Sequence, residues 1–241
     1  MSEEKKIDAR ADCNRDSAGK GCAVNGATVA ALLEYTALAP DVTSEQVANL
    51  CNEALARGFA AVCVNPIYVT LASSLLSSSQ TSVATVVGYP LGALTTRQKV
   101  YETATSLEEG ALEIDLALNV ALLHTGDKAQ VRQEILSIAQ VLSRNPFAIL
   151  KIILETSLLN NAQLKLATQL AIEGGAHYVV AARNYGSAAP SSAEVAVLRS
   201  AARQLIGVKA SGVTTAAQAA EFVAAGVARL GSSDPLSLLV R

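Results

Sequence analysis

The chain has 241 residues, of which 51% are hydrophobic and 17% are charged, and its formal net charge is −2. This length fits one α/β domain with a large core, and the near-neutral charge excludes the basic surface that nucleic-acid binding requires. Aromatic residues make up only 4% of the chain and tryptophan is missing. The core is therefore expected to consist of Ala, Val, Leu and Ile, which are typical of buried parallel strands.

The first part of the chain differs in composition from the rest. Residues 1–25 are polar and charged, so we predict a flexible leader there, followed by a single domain over residues 26–241. The leader lacks the apolar segment that secretion requires, and no apolar run reaches the roughly 18 residues of a membrane span. We therefore predict a cytoplasmic protein without a membrane partner.

Cysteines are too few for a disulfide scaffold in a chain of this length. None of them belongs to a paired set of Cys or His residues with the spacing of metal ligands. We predict no metal site and four free thiols, one of them in the core (Cys63): Cys13, Cys22, Cys51 and Cys63.

Short aliphatic runs alternate with amphipathic helical patterns from residue 27 onward. A capping box at residues 43–46 begins the clearest helix. The apolar residues of this helix fall on one face: Val47, Leu50, Cys51, Ala54 and Leu55. In a later helix, the charged residues Arg97 and Lys99 are expected to be solvated. The predicted strands are residues 33–36, 60–64, 82–88, 112–118, 148–154, 178–182, 206–210 and 228–230.

This alternation of strands and helices indicates an α/β protein with a (β/α)8 TIM barrel. The alternative is a doubly wound open sheet, which usually has a glycine-rich turn after its first strand. Residues 38–40 read Leu-Ala-Pro instead, so the barrel is favoured. A functional site is then expected at the carboxyl ends of the strands.

Strand alternation places charged side chains inside the predicted barrel. Asp115 and Glu113 point inward if the apolar residues between them pack against helices. Lys151 and Lys209 each interrupt an otherwise apolar strand. Burying an unpaired lysine is costly, so we expect Asp115 or Glu155 to face one or both lysines.

Two interpretations fit one acid and two lysines inside a barrel. A lysine near another cation has a lowered pKa and can attack a carbonyl carbon, while a neighbouring carboxylate moves protons. Alternatively, Asp115, Lys151 and Lys209 form a structural ion-pair network. The residue types alone leave both interpretations open.

Six segments, within a stretch from residue 33 to about residue 233, resemble deoxyribose-phosphate aldolases in order, spacing and position in the barrel. The resemblance implies a (β/α)8 barrel and class I aldolase chemistry without metal or other cofactor. In that chemistry, 2-deoxyribose 5-phosphate is split into glyceraldehyde 3-phosphate and acetaldehyde through a lysine imine. The segments are residues 59–66, 88–92, 95–99, 113–115, 150–156 and 207–212.

Within this resemblance, Asp115 matches the catalytic aspartate of the family, and Lys151 and Lys209 match its two supporting lysines. The imine-forming lysine usually stands in a motif close to Phe-Val-Lys-Thr-Ser-Thr-Gly. Residues 178–184 read Tyr-Val-Val-Ala-Ala-Arg-Asn, so Val180 occupies the position of the nucleophile. A valine side chain cannot attack a carbonyl.

Further departures affect the phosphate pocket that the resemblance implies. Asn184 and Val213 stand where glycines are usual, and Asp234 brings a negative charge near the anion. The β-branched Val213 is expected to block a φ > 0 conformation in its loop. Weak phosphosugar binding, or none, is therefore predicted for the matching residues Gly212, Gly231, Ser232 and Ser233.

These departures predict an aldolase-like protein that is inactive on 2-deoxyribose 5-phosphate and serves in binding or regulation. The alternative is an active class I aldolase that forms its imine on Lys209 or Lys151. A third hypothesis is a sensor that binds a phosphosugar without turnover. The resemblance favours a homodimer, and a protein partner is expected whose identity the sequence does not give.

Overall fold

The structure is a computed structural model that describes residues 29–184 and 189–239. The predicted leader, residues 1–25, lies outside the described residues. In the described ranges, parallel strands alternate with helices along the chain. None of the described helices combines the length and the apolar character needed to cross a membrane.

Eight parallel strands close into a barrel in which each strand pairs with its sequence neighbours and β1 pairs with β8. The predicted (β/α)8 fold is confirmed, and every predicted strand agrees with an observed strand to within two residues at each end. The strands are β1 (Leu33–Ala37), β2 (Ala61–Val64), β3 (Ser82–Val87), β4 (Glu113–Ala117), β5 (Ile149–Glu155), β6 (Tyr178–Ala182), β7 (Gly207–Ser211) and β8 (Arg229–Ser232).

Helices connect the strands and surround the barrel. They are α1 (Ser44–Arg57), α2 (Val69–Leu76), α3 (Thr96–Glu108), α4 (Val120–His124), α5 (Lys128–Leu142), α6 (Asn161–Glu173), α7 (Ser192–Ala202) and α8 (Ala216–Ala224), with 3₁₀ helices at Pro66–Tyr68, Thr156–Leu158 and Pro235–Leu238.

The start of α1 is the predicted capping box. The Thr43 hydroxyl accepts a hydrogen bond from the amide of Gln46, and the Gln46 side chain accepts one from the amide of Thr43. The predicted apolar face is buried except at Leu55, which is 40% exposed. Leu55 therefore lies at the edge of the stripe that faces the barrel.

Apolar side chains fill two separate regions. The larger core lies between strands and helices and contains alternate strand residues such as Ile114 and Leu116. A second, smaller cluster contains side chains that point into the barrel: Cys63, Ala84, Val86, Ile153, Val180 and Ala182. The alternation that sends Ile114 outward sends its neighbours Glu113 and Asp115 inward, as predicted.

Lys99 contradicts its prediction, because it is fully buried, whereas Arg97 is exposed as expected. The Lys99 ammonium donates to the carbonyl of Ala117, at the end of β4, over 2.9 Å. It also pairs with the Glu134 carboxylate of α5 over 2.7 Å. Lys99 lies on the inner face of α3, where its long side chain reaches the strand end, so its charge is satisfied by protein groups rather than by water.

Burial lowers the pKa of Lys99 and raises the pKa of Glu134, although each charge favours the ionised form of the other. Removing either partner would therefore leave a buried, unpaired charge, which lowers the free energy of unfolding strongly. On the same helix, the Glu102 carboxylate accepts a hydrogen bond from the Gly88 amide, just after β3. Helix α3 thus contacts the carboxyl ends of both β3 and β4.

Replacing Lys99 by Met keeps most of the side-chain volume and leaves Glu134 buried without a cation. We expect the free energy of unfolding to fall by about 3–5 kcal/mol, since a buried carboxylate loses its partner. Urea titration followed by circular dichroism measures this loss. Arg57→Met removes an exposed partner of Glu53 and should cost less than about 1 kcal/mol. Equal losses would contradict the structural role given to Lys99.

Candidate functional site

Six buried charged side chains meet inside the barrel. Asp115 lies directly opposite Lys151 in the pairing of β4 with β5, and the alternation of each strand turns these side chains inward. None of the six is more than 4% exposed. We call these residues the barrel charge network: Glu34, Glu113, Asp115, Lys151, Lys209 and Arg229.

Lys151 is at the centre of this network. Its ammonium nitrogen lies 2.6 Å from a carboxylate oxygen of Glu34, 2.7 Å from one of Glu113 and 2.8 Å from one of Asp115. Lys209 pairs with Asp115 over 2.6 Å and also with Glu34. Asp115 thus faces both lysines, whereas Glu155 contacts neither. The catalytic roles of Asp115, Lys151 and Lys209 stay predictions.

Arg229 completes the network from β8. Its guanidinium nitrogens lie 3.3 Å from both carboxylate oxygens of Glu113, and one lies 3.7 Å from Glu34. Three carboxylates therefore face three cations, and the formal charge of the network is zero. Such a buried group is stable only as a complete set, because removing one member leaves an uncompensated charge.

The lysines are held in their charged form. Burial alone would lower the pKa of Lys151 and Lys209, but the carboxylates around them, Asp115 foremost, outweigh burial and raise both pKa values above the ordinary range. Burial likewise favours a neutral Glu34, but Lys151, Lys209 and Arg229 hold its pKa well below the usual value. The lowered lysine pKa that a nucleophile requires is therefore not found here.

A cavity of about 320 Å³ opens at the carboxyl ends of the strands. Lys209 and Asp115 line it from the network side, and Val180, Cys63 and Ile153 contribute apolar wall. Burial, with a smaller effect of the nearby carboxylates, raises the pKa of the Cys63 thiol well above its ordinary value. Cys63 is thus a neutral core thiol, as predicted.

Val180 and Lys209 are directly opposite each other in the pairing of β6 with β7. Both side chains line the cavity, and Val180 is 1% exposed. The two positions therefore present their side chains to the same part of the cavity. Lys151, by contrast, is fully buried below it and does not line it.

Three of the four predicted phosphate residues line the cavity. Gly212, Ser232 and Ser233 line it, whereas Gly231 lies in β8, where a Cβ atom would come within 3.2 Å of the Lys209 side chain. The expectation that Val213 forces strain on this loop is wrong. The positive φ, +80°, belongs to Gly212, while Val213 packs its side chain into the main core.

Three backbone amides beside this rim donate hydrogen bonds within the protein. The Val213 amide donates to the carbonyl of Gly231 over 3.0 Å, and the Asp234 amide donates to the Ser232 hydroxyl over 3.1 Å. The Asn184 amide donates to the Glu155 carboxylate over 2.7 Å. Glu155 therefore serves the loop after β6 rather than the lysines.

Three network members, Glu34, Glu113 and Arg229, were missed as site residues by sequence reasoning, although Glu113 was predicted to point inward. Each is a charged residue within a predicted strand, which is the signal that could have found them. One possible metal-ligand group exists among the described residues, namely Glu34, Cys63 and Asp115, whose ligand atoms lie within 4.8 Å of one another. Both carboxylates already bind ammonium groups, which would repel a cation at that place.

Replacing Glu34 by Gln leaves two carboxylates against three cations. We expect the free energy of unfolding at pH 7 to fall by about 3–5 kcal/mol. Because the pKa of Glu34 is lowered by folding, its contribution is present above the unfolded pKa of about 4.3 and is lost as the pH falls through the folded value. The difference between wild type and variant should therefore shrink below about pH 5 in urea titrations.

The exposed Glu108 on α3 offers a control. Glu108→Gln should change the free energy of unfolding by less than about 0.5 kcal/mol at any of these pH values. A Glu34→Gln effect as small as this, or one that stays constant down to about pH 3, would contradict the charge network.

Comparison with known proteins identifies relatives along most of the chain. A deoxyribose-phosphate aldolase of Clostridium kluyveri is 37% identical over 212 residues, which are 88% of this chain and 96% of that protein. One of Thermoanaerobacter sp. is 38% identical over 212 residues, 88% of this chain and 95% of the relative.

Solved structures agree with these relatives. An aldolase named QR15 has a TM-score of 0.82 at 31% identity, covering 88% of this chain and 94% of its own. A deoxyribose phosphate aldolase from Aeropyrum pernix, described as a unique tetramer, has a TM-score of 0.82 at 28% identity, covering 89% and 91%. The model of the DeoC/LacD family aldolases matches residues 28–228. The chain therefore belongs to the DeoC/LacD aldolase family.

Proposed function

We propose that this protein binds a small carbonyl compound in the barrel cavity without forming the imine that family resemblance assigns to the sixth strand. The observation that carries the proposal is Val180, which lines the cavity from β6 at the position where the resemblance expects the nucleophilic lysine. An alkyl side chain offers no electron pair to a carbonyl carbon. The protein would then act in binding or regulation.

The state of the remaining lysines supports this proposal. Imine formation requires a free amine, and the ion pairs of Lys151 and Lys209 raise the pKa of both. At pH 7, a lysine with an ordinary or raised pKa is a free amine in fewer than about one molecule in a thousand. Neither lysine is therefore prepared for nucleophilic attack.

The second candidate is an active class I aldolase that uses Lys209. The comparisons favour this candidate, since the reported relatives are named as aldolases. Lys209 also lines the cavity beside Asp115 and faces the same region as Val180. Lys151 is the weaker choice, because it does not line the cavity.

In this second candidate, Lys209 first loses a proton to a neighbouring carboxylate. Its amine then adds to the substrate carbonyl, and the carbinolamine loses water to give an iminium ion. Cleavage of the carbon–carbon bond moves its electron pair into the iminium as an enamine, while the substrate hydroxyl gives up its proton and becomes the aldehyde product. Asp115, 2.6 Å from the Lys209 nitrogen, is placed to move these protons.

The proposal also covers the oligomeric state, the cellular location and a protein partner. The relative from Aeropyrum pernix is described as a tetramer, and we propose a homo-oligomer here, of which the predicted dimer is the smallest case. We also propose that the protein acts in the cytoplasm, that it binds phosphosugars weakly or not at all, and that it has a protein partner.

Borohydride trapping distinguishes the two candidates. The protein is incubated with 2-deoxyribose 5-phosphate and borohydride, and intact mass is measured beside the Clostridium kluyveri relative as a positive control. We expect no reduced adduct on this protein and no turnover in a coupled assay. An adduct that disappears in Lys209→Arg, which keeps the positive charge of the network but has no amine that forms an imine, would establish the second candidate and contradict the first.

Val180→Lys tests whether a single change restores the family chemistry. We expect little recovery of aldolase activity, since the new lysine still meets a cavity whose rim amides at Val213, Asn184 and Asp234 are engaged within the protein. The matched control, Val180→Met, introduces a flexible side chain without an amine. Strong turnover in Val180→Lys alone would show that the rest of the site is intact.

A further inference from the structure

We infer that the cavity selects an uncharged carbonyl compound with an apolar substituent over a phosphorylated sugar. This inference rests on the proposed function and names the ligand class of the same cavity. Four features carry it: the charge of the lining residues, the unused hydrogen of one ammonium group, three engaged amides beside the rim, and the apolar walls.

The charge of the lining gives an anion no unpaired cation. Among the described lining residues, Lys209 is the single cation, and it already pairs with Glu34 and Asp115. The network as a whole has no net charge. A phosphate monoester carries nearly two negative charges at pH 7. Its transfer from water into this cavity would be uncompensated, and burying an unpaired charge is strongly unfavourable.

An uncharged oxygen acceptor fits Lys209 better. An ammonium group has three hydrogens, and Glu34 and Asp115 account for two of them. The third can donate to the carbonyl oxygen of a ligand in the cavity that Lys209 lines. This contact leaves both ion pairs in place and adds no charge to the network.

Three backbone amides beside the rim are not available to an anion. Phosphate sites of barrels use free backbone amides in the loops after the last strands. After β6, the Asn184 amide donates to Glu155. After β7, the Val213 amide donates to Gly231, and after β8, the Asp234 amide donates to Ser232. The Ser232 hydroxyl in turn donates to the Val213 carbonyl.

The walls favour an apolar substituent. Val86, Ile153, Val180 and Ala182 present hydrocarbon to the cavity. Ile153 also lines a neighbouring cavity of about 80 Å³, together with apolar side chains that include Leu91 and Leu158. An alkyl chain attached to the carbonyl carbon can therefore remain in contact with hydrocarbon, which favours binding in proportion to the apolar area buried.

Methyl NMR of the full-length protein tests the preference and locates the site. The methyl signals of Ile153 and Val180 are followed while 2-hexanone, 2-deoxyribose or 2-deoxyribose 5-phosphate is added at pH 7 and 150 mM salt. We expect 2-hexanone to bind at least about tenfold more tightly than the phosphate, with 2-deoxyribose between them. The affinity of 2-hexanone should not depend on salt.

A polar substitution of equal size provides the matched variant. Val180→Thr should weaken 2-hexanone binding by about threefold to tenfold, because it places a hydroxyl in the apolar wall. Val197→Thr, on the outer helix α7, should leave the affinity unchanged.

The inference is overturned if 2-deoxyribose 5-phosphate binds as tightly as 2-hexanone. It is also overturned if no probe shifts these methyl signals at 50 mM, or if the shifts occur only elsewhere. An adduct in borohydride trapping would instead contradict the proposed function, so the two failures are distinguishable.

Discussion

The barrel charge network is the interaction on which the rest of the structure depends. Glu34 pairs with both Lys151 and Lys209, and it thereby connects β1 with β5 and β7 across the barrel interior. Each of these three strands contributes a charge that would be strongly unfavourable if it were buried alone, so the ion pairs couple the strands in register. The same pairing that makes the barrel interior stable keeps the lysines charged, and this limits the chemistry available at the cavity.

The charge network determines the charge of the cavity above it. Compensation of Lys209 by Glu34 and Asp115 leaves a neutral floor, and Val180 adds hydrocarbon where the family resemblance expects an amine. Helix α3 supports the rim, since Lys99 holds the end of β4 through the Ala117 carbonyl. The fold and the charge network of this barrel therefore do not depend on a lysine at position 180.

Periodicity was sufficient to predict the strands and the inward direction of Asp115, Lys151 and Lys209, because alternation follows from backbone geometry. It was insufficient for Lys99, whose burial depends on Glu134 from another helix, a contact that no local pattern encodes. Glu34, like Lys151, is a charged residue in a predicted strand, but its role depends on ion pairs with residues far away in the sequence. Val213 was misjudged because the neighbouring Gly212 has the positive φ.

The charge state of Lys209 tests the account most directly. With lysines labelled at the Cε carbon, NMR follows each side chain as the pH is raised, and the Lys209 signal is assigned by its loss in Lys209→Arg. The pKa of Lys209 is raised by its carboxylate partners, so the account predicts no titration below about pH 10.5. A Lys209 signal that titrates between about pH 6 and pH 9 would reveal a prepared nucleophile and contradict it.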